Sequence, residues 1–134
     1  MTSKSTTWLA AGFCLFLVVL LSVIPGDLQI RTGAPKDLEH FIAYLGVGAI
    51  LAFARGPNRR AGLVIVFLVA LSACLEIIQH WIPGRTPEIA DWIASSLGAI
   101  AGVAVTQVWS RMMARRQTAR AANGRAPFII NAGR

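Results

Sequence analysis

Charged residues are scarce in this chain of 134 residues. Asp, Glu, Lys and Arg together make up 14% of it, whereas hydrophobic residues make up 55%. Soluble domains usually carry about 25% charged residues, and the mean hydropathy of +0.60 points the same way. The composition therefore excludes an ordinary soluble domain and predicts a membrane protein with a single domain.

Cysteine is also scarce, with only Cys14 and Cys74 in the sequence. Both lie inside apolar stretches, at different depths if the helices run side by side, and neither has a base next to it in sequence. We therefore expect neither a disulfide nor a cysteine nucleophile. Both side chains are expected to be buried as small hydrophobic groups.

The N-terminal segment lacks the pattern of a cleaved signal peptide. After Lys4, an uncharged run extends from Ser5 to Gly26. This run is longer than a typical signal-peptide core, and no small-residue cleavage site follows it. The sequence therefore predicts a retained first helix.

Long apolar stretches are what the chain has in abundance. There are four of them, and each approaches or exceeds the roughly 20 residues that a helix needs to cross a bilayer. We predict an all-α membrane protein in which four transmembrane helices form an antiparallel bundle. The predicted domain covers 1–110, with helices at about 8–24, 35–54, 62–81 and 87–110, and a basic cytoplasmic tail covers 111–134.

The charges are sorted between the two ends of this bundle. All six acidic residues lie in or beside the first and third connections between helices. If the N-terminus is inside, ten Lys and Arg residues face the cytoplasm and three face out. The positive-inside rule therefore predicts that both termini are cytoplasmic and that the acidic end faces outward. The three outward cations are Arg31, Lys36 and Arg85.

The net charge of +7 does not require a nucleic-acid partner. Membrane topology explains the excess of Arg, and no nucleic-acid-binding motif accompanies it. The basic tail is expected to contact anionic lipids. We predict membrane lipids as partners and no nucleic acid.

Polar residues gather at the outer ends of the second, third and fourth helices. Glu76, Gln79 and His80 share one helix face, and Asp91 lies at a depth that matches Glu76. Carboxyl groups at such depths usually face a bundle interior and have a partner, and Arg85 in the connecting turn is the expected counterion. The candidate ligand-binding residues are His40, Tyr44, Glu76, Gln79, Arg85, Asp91 and Ser95.

Several interpretations of this cluster are open. The first interpretation is a purely structural charge cluster, and the second is a pocket for an envelope molecule or partner protein. The third is an acid–base or hydrolytic site, and the fourth is a proton relay or metal site. The acid–base candidates are His40, Glu76 and Asp91, with Arg85 holding an anionic group such as phosphate. A metal ion would bind His40, Glu76 and Asp91, with His80 as a further candidate ligand. Because the Glu-x-x-x-His spacing is a weak signal alone, neither a metal nor a cofactor is assigned.

Small residues recur every four positions along the fourth helix, at Ala90, Ala94, Gly98 and Gly102. Such a face lets transmembrane helices approach closely. We expect it to contact neighbouring helices of the same chain. A homo-oligomer formed through Gly98 and Gly102 is the alternative.

The polar residues and the glycines follow one spacing: Glu76-x-x-Gln79-x-x-x-Pro83-Gly84-Arg85, then Asp91, Gly98 and Gly102. This spacing, with His40 near the start of the second helix, resembles the signature of VanZ-like membrane proteins. The resemblance covers residues of about 30–105. Two positions depart from it, since the order of Lys36-Asp37 is reversed and Ser95 stands where the family usually has Asn.

The resemblance implies a small bacterial integral membrane protein, in a family named for a member associated with teicoplanin resistance. Family likeness does not carry a substrate, so resistance is not transferred to this chain. We expect a multi-pass protein of the bacterial cytoplasmic (inner) membrane whose outward polar pocket binds a cell-envelope molecule or partner, such as a glycan or a lipid-linked ligand. The alternative is a membrane-embedded enzyme that uses His and carboxylate acid–base or metal chemistry on a lipid-linked or phosphorylated envelope substrate.

Overall fold

A computed structural model describes residues 4–29, 33–56 and 60–123. Predictions that concern Arg31, Arg59 and residues 124–134 lie outside these described residues. Within them the secondary structure consists of α-helices and one short 3-10 helix, Gly26–Leu28, without any strand. The four long helices are α1 (Lys4–Val23), α2 (Lys36–Arg55), α3 (Ala61–Gln79) and α4 (Ile89–Asn123).

All four helices are long and apolar enough to cross a membrane, which confirms the predicted fold class. Their direction across the membrane stays a prediction. Two boundaries differ from the sequence-based ones. α4 begins at Ile89, two residues later than expected, and the backbone N–H of Glu88, just before it, donates to the Glu76 carboxylate of α3 (3.3 Å). α4 also continues to Asn123, so the first part of the predicted tail is helical.

α2 and α4 form the tightest helix pair, and glycine makes their approach possible. A Cβ atom added at Gly98 would lie 2.2 Å from the carbonyl oxygen of Phe41, and one added at Gly102 would lie 2.1 Å from that of Leu45. Gly48 faces Ala99 in the same way. The predicted close contact is therefore confirmed at both α4 glycines. Ala90, the first of the four regularly spaced small residues, is exposed.

This glycine face is filled by α2 of the same chain. A homo-oligomer built on Gly98 and Gly102 would have to displace α2, so an oligomer, which stays a prediction, would need another surface. Deeper in the pair, Thr106 of α4 donates a hydrogen bond to the carbonyl oxygen of Ala49 (3.2 Å). α2 and α4 run parallel, since contacts advance along both helices together.

The hydrophobic core lies where α2, α3 and α4 meet. Leu68 of α3 is fully buried in it, and α3 is bound to α4 by a hydrogen bond from the Trp92 indole to the carbonyl oxygen of Val69 (3.3 Å). Burial here removes apolar side chains from contact with lipid and packs them against one another. The other buried core residues are Tyr44, Val47, Ala52, Val64, Ala99 and Val103.

α1 lies at the edge of the bundle. Ala11 is its one buried residue among those that the structure describes, and nothing lies within 4 Å of the position that a Cβ of Gly12 would take. Cys14 is half-buried and Cys74 is exposed, and both are free. The expected burial of Cys74 is wrong, because its face of α3 points away from the other helices.

The α1–α2 connection and the α3–α4 turn lie together at one end of the bundle. The backbone N–H of Gly26 donates to the carbonyl oxygen of Pro83 (3.1 Å). Gly84 has a positive φ of 73°, a conformation that glycine adopts without strain. This end therefore brings the starts of α2 and α4 beside the ends of α1 and α3.

Candidate functional site

The end of α1 is held by side chains from other parts of the chain. Gln79 donates to the carbonyl oxygen of Ser22 (3.2 Å), and the Nε atom of Arg85 donates to that of Ile24 (3.0 Å). Arg85 Nη2 and the Gln29 amide both donate to the carbonyl oxygen of Leu21. The last carbonyls of a helix have no partner within it and carry partial negative charge. A guanidinium and two amides therefore cap the C-terminus of α1.

Lys36 is the cation that lies against Asp91. Its Nζ atom is 2.5 Å from Asp91 Oδ2 and 4.0 Å from Glu88 Oε1, and it donates to the carbonyl oxygen of Thr86 (2.5 Å). The Asp91 side chain is only 2% exposed, so this is a charge pair with little water around the anion. The expectation that Arg85 would be the counterion is corrected for Asp91, because the guanidinium binds the negative end of α1 instead.

His40, Glu76 and Asp91 converge from three different helices. One ligand atom of each residue lies within 4.8 Å of the other two, and His40 Nε2 is 3.9 Å from Glu76 Oε1. The side chains of His40 and Glu76 are 18% and 13% exposed. The expected match in depth between Glu76 and Asp91 is thus confirmed, and two carboxylates meet one imidazole in a poorly hydrated place.

Two further predicted residues are buried and incompletely hydrogen-bonded. Gln79 Oε1 and Ser95 Oγ have no partner among the described residues, and each residue is 1% exposed. Ser95 lies one turn below Asp91 on the same face of α4. Buried polar atoms without a partner are costly and uncommon in folded proteins, so they mark places where a bound group would gain contacts.

A cavity of about 570 Å³ lies between α1 and α2, at the end of the bundle that carries the charged cluster. Its apolar wall includes Val18 and Ile42, and its polar end includes His40 and Arg85. Tyr44, which is buried, also lines it. Ligand sites are commonly cavities of about 300–1,000 Å³ with mostly apolar walls and a few convergent polar groups, and this cavity has that character.

The predicted site residues therefore divide into groups. His40, Tyr44 and Arg85 line the cavity, Glu76 and Asp91 meet His40 behind it, and Gln79 binds α1. The sequence-based prediction missed Lys36, although a signal was present. Lys36 precedes His40 by one helical turn and so shares its face.

Four membrane-spanning helices, packed through glycines and carrying a cluster of ionisable side chains at one end, define a small multi-pass membrane protein. The VanZ/LLP1 family model matches residues 7–110. The chain therefore belongs to the VanZ/LLP1 family, as its motif spacing predicts. Comparisons with curated proteins and with solved structures found no match.

Proposed function

We propose that this VanZ-family protein binds an amphiphilic molecule of the cell envelope in the cavity between α1 and α2. The observation that carries the proposal is the cavity itself, which is apolar along its depth and polar at the end formed by His40, Glu39 and Arg85. An acyl or polyprenyl chain matches the apolar part. A polar head group matches the end that both donates and accepts hydrogen bonds.

The position of the cavity supports this proposal. One of its walls is α1, the helix with the smallest buried share, and the C-terminal end of α1 is bound by Gln79 and Arg85. A chain dissolved in the bilayer can therefore reach the cavity between α1 and α2 without crossing the core of α2, α3 and α4. The head group would stay beside the connections between helices.

A bulky side chain within the cavity tests the proposal. Ala43 lines the cavity and Ala104 is an exposed residue of α4 away from it. We expect Ala43→Trp to remove co-purifying amphiphiles that native mass spectrometry detects on the wild-type protein, since the indole fills their place. Ala104→Trp is the matched control and should keep them. Equal occupancy in the two variants, or a wild-type protein without bound amphiphile, would contradict the proposal.

The proposed ligand belongs to the outer surface of the inner membrane, in keeping with the predicted direction of the helices. Cysteine labelling of intact cells tests that direction, in a background without Cys14 and Cys74. Asp37→Cys at the start of α2 should react with a membrane-impermeant reagent, and Thr118→Cys in the last turns of α4 should react only after lysis. The reverse pattern would move the cavity opening to the cytoplasm.

A further inference from the structure

We propose that His40, Glu76 and Asp91 form a binding site for one divalent transition-metal ion of the zinc type. The three side chains come from α2, α3 and α4, and their ligand atoms lie within 4.8 Å of one another. The site adjoins the cavity, with which it shares His40, and it does not require a ligand bound there. Four observations support it: the orientation of His40, the spacing of the ligand atoms, the local charge, and the Ser95 hydroxyl that has no partner among the described residues.

His40 is held in an orientation that suits a metal ligand. Its Nδ1 atom lies 2.9 Å from the carbonyl oxygen of Lys36. A carbonyl oxygen can only accept, so Nδ1 carries the hydrogen, and Nε2, 3.9 Å from Glu76 Oε1, is the ring atom left to bind an ion. Metal-binding histidines almost always donate their other ring N–H in this way, which fixes both tautomer and orientation.

The spacing of the atoms suits ligands around a common ion better than direct hydrogen bonds. His40 Nε2 and Glu76 Oε1 are 3.9 Å apart, which is too long for a hydrogen bond. Two ligands at about 2.0–2.2 Å from a tetrahedral zinc ion lie about 3.4 Å from each other. Small side-chain rotations would bring the three atoms from their present separation to that distance.

The local charge also favours a cation. Glu76 and Asp91 contribute two negative charges, and Lys36 contributes one positive charge through its contact with Asp91 Oδ2. Among these three side chains a negative charge remains, and the exposed Glu88 adds another at the edge. Carboxylates close together in a poorly hydrated place repel each other, and an ion between them removes that repulsion.

The ligand set points to the class of ion. One imidazole and two carboxylates suit zinc and similar divalent transition metals, whereas magnesium and calcium prefer oxygen ligands alone. Three protein ligands leave a coordination position open, as in catalytic rather than structural zinc sites. The buried Ser95 Oγ, unpartnered among the described residues, lies one turn from Asp91 and is available to a water molecule in such a position.

Zinc binding by the purified full-length protein in detergent tests the proposal. The protein is stripped with chelator and titrated with ZnCl₂ by calorimetry, with MgCl₂ as the comparison. We expect one zinc ion per chain and at least tenfold weaker binding of magnesium. His40→Gln and Glu76→Gln should each weaken zinc binding by at least tenfold.

His80→Gln is a closely matched control. His80 also places Nδ1 near the carbonyl oxygen of the residue four positions earlier, Glu76 (3.2 Å), but its ring is exposed and outside the three-residue group. This variant should bind zinc as the wild type does. Lys36→Met should bind zinc more tightly than wild type, because it removes the cation that competes for Asp91.

Cobalt provides a readout that does not depend on the folding of variants. Co²⁺ bound to wild-type protein should give visible d–d absorption without the thiolate charge-transfer bands that Cys14 or Cys74 would produce, and zinc should displace it. Absence of saturable zinc or cobalt binding to the wild type would overturn the proposal. So would unchanged affinity in His40→Gln, or an equal loss in His80→Gln. Zinc binding by Ala43→Trp should persist, so failure of the amphiphile proposal leaves this one standing.

Discussion

α1 and α4 are attached to the bundle in different ways. Several successive turns of α4 contact α2, and the carbonyl oxygens of Phe41 and Leu45 occupy the space that side chains at Gly98 and Gly102 would need. α1 buries one described residue, and its end is bound by Gln79 and Arg85 through hydrogen bonds to backbone carbonyls. α4 is therefore held by close backbone packing, whereas α1 packs through partly buried side chains such as Leu15 and Val18 and is bound at its end by polar side chains.

This difference separates two roles within one sequence motif. Gln79 and Arg85 donate hydrogen bonds to carbonyl oxygens at the C-terminus of α1, so they join an edge helix to the rest of the fold. Glu76 and Asp91, in the same motif, face His40 and Lys36 instead. The polar residues of this motif therefore divide by what they contact. Gln79 and Arg85 form an α1-binding group, and Glu76 and Asp91 belong to a charge cluster with His40 and Lys36.

The largest expected effect comes from filling the α2–α4 contact. Gly98→Leu should lower the free energy of unfolding by about 3 kcal/mol or more, because the new side chain meets backbone rather than a movable side chain. Gly46→Leu and Gly12→Leu are matched controls, since nothing lies within 4 Å of a Cβ at either position. Unfolding in detergent measures all three. Equal melting temperatures for Gly98→Leu and the controls would show that α4 is not held in this way.

A smaller effect is expected at the end of α1. Arg85→Ala removes two hydrogen bonds from a charged donor, which are typically worth about 1.5–3 kcal/mol each where buried and less where water competes. We expect faster hydrogen–deuterium exchange in the last turn of α1 and little change in α4. Arg111→Ala, on the exposed face of α4, is the control. Faster exchange throughout the bundle would mean that α1 and α4 are not separately held.

Double-mutant cycles test whether the α1-binding group and the charge cluster act separately. Lys36→Met and Asp91→Asn should show an interaction free energy of about 1–2 kcal/mol, since the two side chains are in contact. Arg85→Ala and Asp91→Asn should be additive within about 0.5 kcal/mol, because Arg85 acts on α1 and Asp91 on Lys36. The cycles are read by unfolding in detergent. A large interaction free energy between Arg85 and Asp91 would show that Arg85 belongs to the charge cluster.

The smallest effect is expected at Ser95. Its hydroxyl makes no hydrogen bond among the described residues, so Ser95→Ala should change stability by no more than about 0.5 kcal/mol. Thr106→Val, which removes donation to Ala49 and Gly102, should cost about 1 kcal/mol. Melting temperatures of the metal-free protein compare the two. A larger loss at Ser95 than at Thr106 would reveal a partner for its hydroxyl.

Some of these features follow from sequence and others do not. The helices follow from apolar length, and the α4 contact follows from glycines at a spacing of four. The convergence of Glu76 with Asp91 follows because a short turn makes α3 and α4 antiparallel neighbours. The partner of Asp91 did not follow, since Lys36 and Arg85 were both within reach. Which of the two cations pairs with Asp91 depends on the backbone carbonyls of α1 that bind Arg85, and the pattern of side chains does not reveal that contact. The cavity depends on the gap between α1 and α2, which the sequence does not reveal either.

The contacts of Gly98 and Gly102 also determine how far α4 can slide along α2. Each glycine fits between successive turns of α2, so the two parallel helices have one register in which their backbones meet. A slip of one helical turn, about 5.4 Å, would carry Lys36 past Asp91 and separate the carboxylate from His40. Two residues without side chains, in the middle of a membrane-spanning helix, therefore set the alignment of the charged groups at its end.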